Sequence, residues 1–215
     1  MILWDLDGTL TDPKPGITGG VQYALRSMGI EIDDPDTLTA YIGPPLRDAF
    51  HENHGIPVGD LESVVAAYRE YYIDRGLFEN RVIDGIPELL CSLSDADIPM
   101  AIATSKPDWM AETILKHFGL RGHFSFVGGA TMDGSRGTKS EVLEHTLANV
   151  GIGDDPDERA AIVIIGDREH DILAAHEAGI ASIGVRWGYA EPGELEAAAP
   201  TAIAGSVVIL AQLLD

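Results

Sequence analysis

Basic residues are scarce in this chain of 215 residues: 14 Lys and Arg stand against 35 Asp and Glu, a formal charge of −21. An excess of that size opposes general attraction to nucleic acid or to an anionic membrane surface, so any anionic ligand has to be captured locally. The one cysteine, Cys91, excludes an intrachain disulfide, and its setting in PELLCSL reads as the buried side of a helix. No apolar run approaches the roughly 18 residues of a membrane span. The opening MILW is too short and lacks the basic residues of a secretory leader, so a cytoplasmic protein is expected. Internal repeats are absent, and the only compositionally biased tract is the alanine-rich ELEAAAP.

What is present is enough chain to bury a substantial core, as one domain with a smaller insertion. Short β-rich runs occur at 2–5 (ILWD), 99–104 (PMAIAT), 160–167 (AAIVIIGD) and 181–185 (ASIGV), with a weaker one at 124–127 (FSFV). AIVIIG does not alternate, which predicts strands covered on both faces. Helical stretches at 85–95, 107–118, 138–150 and 170–178 separate these runs. That alternation predicts an α/β fold built on a doubly wound parallel sheet.

Residues 14–82 break the rhythm and read as an inserted all-α domain. Val21, Ala24, Leu25 and Met28 form one apolar stripe, and Val64, Val65, Tyr68, Tyr71 and Tyr72 another, both read as packing faces. Tyr41 and Phe50 are read as core of the same insertion. His51 and His54, three apart, read as a solvated pair and not as zinc ligands.

In open α/β sheets ligands sit beyond the carboxyl ends of the strands. Reading those ends gives Asp5 and Asp7 after the first run, Thr104 and Ser105 after the second, and Asp167 after the third, with Asp171 one helical turn on. Strand alternation would point Asp5 and Asp7 to one side, where two carboxylates repel unless a cation or proton lies between them. Lys139 joins them at the start of a helix. A hard divalent cation such as Mg²⁺ suits Asp5 and Asp167, and with Lys139 and Thr104 it would receive a phosphoryl group.

In chain order, DLDGTLTD (5–12), Thr104 in AIATSKP, Lys139 in GTKSEVL and GDREHD (166–171) resemble the four motifs of the haloacid dehalogenase superfamily of phosphatases. TDPKPGI, IGPPLRDAF, ATSKP, GDREHDI and GVRWGYAEPGEL are similar to its phosphoglycolate phosphatase and 5′-nucleotidase group. The resemblance spans essentially the whole chain. It implies a Rossmann-like catalytic core at 1–13 and 83–215, with a helical cap at 14–82 that closes over the site and chooses the leaving group.

It implies Asp5 as nucleophile and Asp7 as acid and base, with Mg²⁺ held by Asp5, the Asp7 carbonyl and Asp167, and by Asp171 through water or from behind. Thr104 and Lys139 would grip phosphate, with Gly8 and Ser105 beside them; serine replaces the asparagine common at that last position. Lys106 and Arg168 are either further anion contacts or solvent-exposed charges. Arg47 is either a substrate contact or half of a helix-face salt bridge. Trp187 and Tyr189 either line the mouth of the site or pack on a neighbouring helix.

The expected activity is Mg²⁺-dependent hydrolysis of a small phosphomonoester, phosphoglycolate or a nucleoside monophosphate, by a monomer or homodimer with no nucleic acid or membrane partner. Inorganic pyrophosphatase and sugar-phosphate mutase activity stay open on the same scaffold. A phosphoacceptor signalling domain is more remote, because it needs neither the helical insertion nor Asp7.

Overall fold

The computed structural model describes residues 1–214. The chain starts in β1 (Ile2–Trp4) and β2 (Thr11–Asp12), then enters helices α1 (Lys14–Ser27), α2 (Leu46–His54) and α3 (Leu61–Tyr71). It returns through β3 (Arg81–Val82), α4 (Ile86–Asp95), β4 (Met100–Pro107), α5 (Asp108–His117), β5 (Val127–Ala130), α6 (Lys139–Asn149) and α7 (Pro156–Arg159). The last elements are β6 (Val163–Gly166), α8 (Glu169–Ala178), β7 (Ala181–Val185), α9 (Glu194–Ala198), β8 (Ala202–Ala204) and α10 (Val207–Leu214). Two compact units result: Met1–Thr11 with the chain from Val82 onward, and Asp12–Arg81.

The first unit holds a six-stranded sheet in the order β5-β4-β1-β6-β7-β8, and its ladders are parallel. β1 sits at its centre, with Trp4 level with Ile102 on one side and Ile165 on the other. One face packs Leu3, Ala101, Ala103 and Ile164 against Val142, Leu143 and Leu147 of α6 and Ala174, Ala175 and Ala178 of α8. Trp4, Ile102 and Ile165 take the other face by alternation and are fully buried, so both faces are covered and the strands read as unbroken apolar runs.

Three sequence expectations need correction here. Cys91 is exposed, because the buried stripe of α4 is Ile86, Leu89, Leu90 and Leu93; a residue one step beyond Leu90 lies about 100° round the helix from it. The fifth strand runs over Val127–Ala130 and not over 124–127. Its Gly128 and Gly129 hide it from a propensity reading, yet both are needed. A Cβ at Gly128 would lie 1.9 Å from Thr146 Oγ1, and one at Gly129 would lie 2.5 Å from the Asp108 nitrogen. The histidines are a solvated pair only in part: His51 is exposed, with its Nδ1 bonded to the Ile56 carbonyl at 2.9 Å, whereas His54 is half-buried and its Nδ1 bonds the Tyr41 hydroxyl at 2.6 Å. Burial lowers the His54 pKa.

In the helical unit, Val21, Ala24 and Leu25 of α1 are buried, as are Val64, Val65 and Tyr68 of α3 and the following Tyr72. Met28 and Tyr71 are half-buried at the ends of these stripes. Tyr41 and Phe50 are buried and pack with their rings tilted at 60°, 5.0 Å between centroids. Gly16 lies so close to Gly76 that a Cβ there would meet its carbonyl oxygen at 2.1 Å.

Arg159 is the structural knot of the first unit. Its guanidinium donates to both Glu144 carboxylate oxygens at 2.8 Å, to the Gly153 and Ala178 carbonyls at 2.8 Å, and to Asp154 at 2.9 Å. Arg159→Ala removes the donor from two carbonyls and two carboxylates at once. It is expected to cost about 2 kcal/mol, a fall of roughly 4–8 °C in Tm by thermal denaturation. Arg159→Lys should recover little, because an ammonium cannot reproduce the planar fork.

Candidate active site

The site grows from a topological switch. From β1 the sheet is extended through β4 and β5 on one side and through β6, β7 and β8 on the other, which opens a crevice beyond the carboxyl ends of β1 and β6. Asp5 follows β1 directly and is anchored by its backbone N–H, which donates to the Ile165 carbonyl at 2.9 Å. Asp167 directly follows β6. Asp7 is placed by a tight turn, not by strand alternation, since β1 ends at Trp4. In that turn the Leu6 carbonyl accepts from the N–H groups of Thr9, Leu10 and Thr11.

Lys139 is the first residue of α6, whose start is fixed by a reciprocal cap between Thr138 and Glu141. Its ammonium lies 2.6 Å from Asp5 Oδ1 and 2.5 Å from Asp171 Oδ1. Carboxylate oxygens of Asp5, Asp167 and Asp171 all lie within 4.8 Å of one another. Asp171 is positioned in the first turn of α8, where it accepts from the Arg168 N–H at 3.1 Å. Thr104, 1% exposed in β4 at the point where its pairing with β5 shifts register, accepts from the Lys106 N–H at 3.3 Å.

Small residues make this crowding achievable. A Cβ on Gly8 would sit 2.2 Å from Asp167 Oδ2, one on Gly188 2.3 Å from the same atom, and one on Gly166 2.1 Å from Asp171 Cγ. Gly8 also has φ +84°, a conformation that glycine adopts without steric penalty.

Burial pushes the Asp5 carboxyl up to about 6; Lys139 opposes the shift, and Asp171 and Asp7 add to it. Burial also holds Asp167 well above the usual carboxylate range, reinforced by Asp5 and Asp171 and opposed by the Tyr189 N–H. Burial pulls Lys139 down, but Asp171 and Asp5 outweigh it and hold its pKa above the ordinary lysine value. Asp5, Asp7, Asp167 and Asp171 against Lys106 and Lys139 leave a formal excess of two negative charges, which is the charge of one divalent cation.

The other candidates are placed differently. Lys106 is buried and pairs with Asp7 Oδ2 at 2.6 Å, so it is not a solvent-exposed charge. Ser105 is exposed. Arg168 is half-buried and gives its Nε to Glu194 at 2.7 Å. Arg47 lies on α2 in the helical unit and is exposed there in an ion pair with Glu62.

Trp187 and Tyr189 act through N–H groups: the Trp187 indole donates to the Thr9 carbonyl at 3.1 Å, and the Tyr189 backbone donates to Asp167 Oδ2 at 2.7 Å. Sequence reasoning points to Trp187 and Tyr189 after the last apolar run, but it misses Gly166, Gly188 and the bond that the Tyr189 backbone gives Asp167.

An open parallel sheet with carboxylates and a lysine sunk together at its switch point is the architecture of an α/β enzyme. Residues 2–185 match the haloacid dehalogenase-like hydrolase family, and the chain belongs to that family, among its phosphatases. A 5′-nucleotidase of Pseudomonas aeruginosa is 42% identical over 214 residues, covering 100% of this chain and 95% of that protein. A relative of Mycobacterium tuberculosis named tyrosine-protein kinase PtkA is 37% identical over 97% of this chain and 69% of its own length. The crystal structure of a predicted phosphatase from Clostridium acetobutylicum superimposes with a TM-score of 0.90 at 37% identity, covering 99% of this chain and 96% of that one. Among the described residues no helix is long and apolar enough to cross a membrane.

Proposed function

We propose that the protein is a Mg²⁺-dependent phosphatase that hydrolyses a small phosphomonoester, phosphoglycolate or a nucleoside monophosphate, through an aspartyl phosphate on Asp5. The observation that carries this reading is the Asp5 carboxylate held 2.6 Å from the buried Lys139 ammonium, with Asp167 and Asp171 beside it. An Asp5 oxygen attacks phosphorus and the ester oxygen leaves with a proton from Asp7. Water then attacks the acyl phosphate with Asp7 as base, releasing phosphate and restoring Asp5.

Asp7 suits both steps. Its Oδ2 is held by Lys106, while its buried Oδ1 has no hydrogen-bond partner in the protein, which leaves one oxygen to carry the proton. Lys139 and the Thr104 hydroxyl bind the transferring phosphoryl oxygens. The donor set is all oxygen, and the two excess charges match a hard divalent cation. Asp5, the Asp7 carbonyl and Asp167 would hold Mg²⁺, with Asp171 acting through water. The ion would supply charge neutralisation at the phosphoryl group.

The test is phosphate release with Mg²⁺ across phosphoglycolate, nucleoside monophosphates, pyrophosphate and hexose phosphates. Efficient release from phosphoglycolate or a nucleoside monophosphate supports the reading, and preference for pyrophosphate or return of phosphate to a second sugar hydroxyl overturns it. Because one relative is named a tyrosine kinase, ATP with a tyrosine peptide belongs in the panel, and transfer to the peptide in place of release also overturns it. Arg47 is proposed as a contact to the substrate beyond its phosphate. Arg47→Ala is expected to raise KM or lower kcat about tenfold for the preferred ester while sparing a small artificial ester; equal loss on both removes that role.

A further inference from the structure

After β7 the chain passes through Arg186, Trp187, Gly188 and Tyr189, and three consecutive residues of this segment act on the active-site edge. The Trp187 indole N–H donates to the Thr9 carbonyl at 3.1 Å, across 178 residues of sequence. The Tyr189 backbone N–H donates to Asp167 Oδ2 at 2.7 Å. Gly188 between them comes so close that a Cβ would lie 2.3 Å from both the Asp167 Cβ and its Oδ2.

The loop carrying Asp7 grips the same carboxylate from another direction. Gly8 leaves room for Oδ2, and the Thr9 hydroxyl donates to Oδ1 at 3.5 Å. Asp167 is thus held by two loops, and the Trp187 N–H ties one loop directly to the other. The turn that Trp187 pins starts at Asp7, whose carboxylate must reach the leaving oxygen within a few tenths of an ångström to transfer a proton efficiently.

We infer that Trp187 is a positioning residue: its indole N–H fixes the Asp7–Thr9 turn against Asp167, and so sets the distance between the acid/base and the carboxylate that would hold the metal. The kinetic part of this inference rests on the phosphatase reading, and its geometric part does not. Hydrogen-bonded groups behind a metal ligand commonly change affinity or turnover by about 10- to 100-fold when removed.

Trp187→Phe keeps an aromatic ring and removes the N–H. The expected result is a kcat about tenfold or more below wild type with KM within about twofold and Tm near the wild-type value. Mg²⁺ affinity measured calorimetrically should fall several-fold, and backbone amide exchange at Gly8–Thr11 should accelerate in metal-free protein. β-(3-benzothienyl)alanine at position 187 keeps the size of indole without its N–H, and should reproduce these changes if the smaller phenyl ring perturbs packing.

Wild-type kcat, or unchanged exchange at Gly8–Thr11, in the benzothienyl variant overturns the inference, as does a loss of activity that only tracks a loss of Tm. Should the wild-type protein turn over no ester, the phosphatase reading fails by itself. Exchange and Mg²⁺ affinity then still decide whether Trp187 holds the turn.

Discussion

Replacing Asp5 with asparagine is expected to abolish phosphate release, by on the order of 10⁴-fold or more, while leaving the fold in place. The side chain keeps its size, and the backbone N–H that bonds Ile165 is untouched. What disappears is the anionic oxygen 2.6 Å from Lys139, because an amide is not a competent nucleophile toward phosphorus. Lys139 retains Asp171 at 2.5 Å, so its charge is not left unpaired. Steady-state phosphate release and circular dichroism together check this. Turnover above about 1% of wild type in a folded variant, well over the remnant a missing nucleophile leaves, would remove Asp5 as the attacking group.

The second large effect has opposite signs for stability and activity. Asp167 is 1% exposed among other carboxylates, and its pKa is raised by burial and by Asp5 and Asp171. A folded-state pKa above the unfolded value means stability that is present in full below the unfolded pKa and lost as pH rises through the folded one. Asp5, pushed up to about 6, adds to the same trend. These carboxyls therefore destabilise the metal-free protein progressively as pH rises from about 4 past 6.

Asp167→Asn removes one of the charges and still offers an oxygen to the Tyr189 N–H. It is expected to stabilise the metal-free protein at pH 8 by about 1–2 kcal/mol, roughly 3–6 °C in Tm, with the gain shrinking toward pH 4. The same variant should lose phosphatase activity and most of the Tm increase that Mg²⁺ gives the wild type. Thermal scans at pH 4.5 and 8, with and without Mg²⁺, read all of this. A metal-free variant less stable than wild type at pH 8 would show that the cluster does not strain the fold.

These two expectations turn on residues visible as letters, and the reason is physical. Short apolar runs ending in Asp5, Thr104 and Asp167 report buried parallel strands and the polar groups just past their ends. The order of strands along the chain is enough to suggest a single edge where they gather. Lys139 was legible for a related reason, because TKSE marks the start of a helix and the first turn of a helix after a strand faces that edge.

Other features depend on contacts between segments far apart in sequence. Gly128 and Gly129 discourage a strand assignment locally, and only the proximity of Thr146 and Asp108 explains why nothing larger fits. Cys91 lies among apolar letters in PELLCSL, yet the angle between it and Leu90 puts it outside. Lys106 reads in the sequence as either an anion contact or a surface charge, and only the fold brings Asp7 within 2.6 Å of it.

The sequence by itself determined the α/β class and singled out the acids and the lysine as candidates, because periodicity and strand-end position are local properties, while the phosphatase family followed from the resemblance of four ordered motifs. Only the tertiary structure decided the partners. Lys139 bridges Asp5 and Asp171, Lys106 is committed to Asp7, and the WGY segment holds Asp167 and the Asp7 turn together. Each of these depends on distances between chain segments that no local pattern encodes.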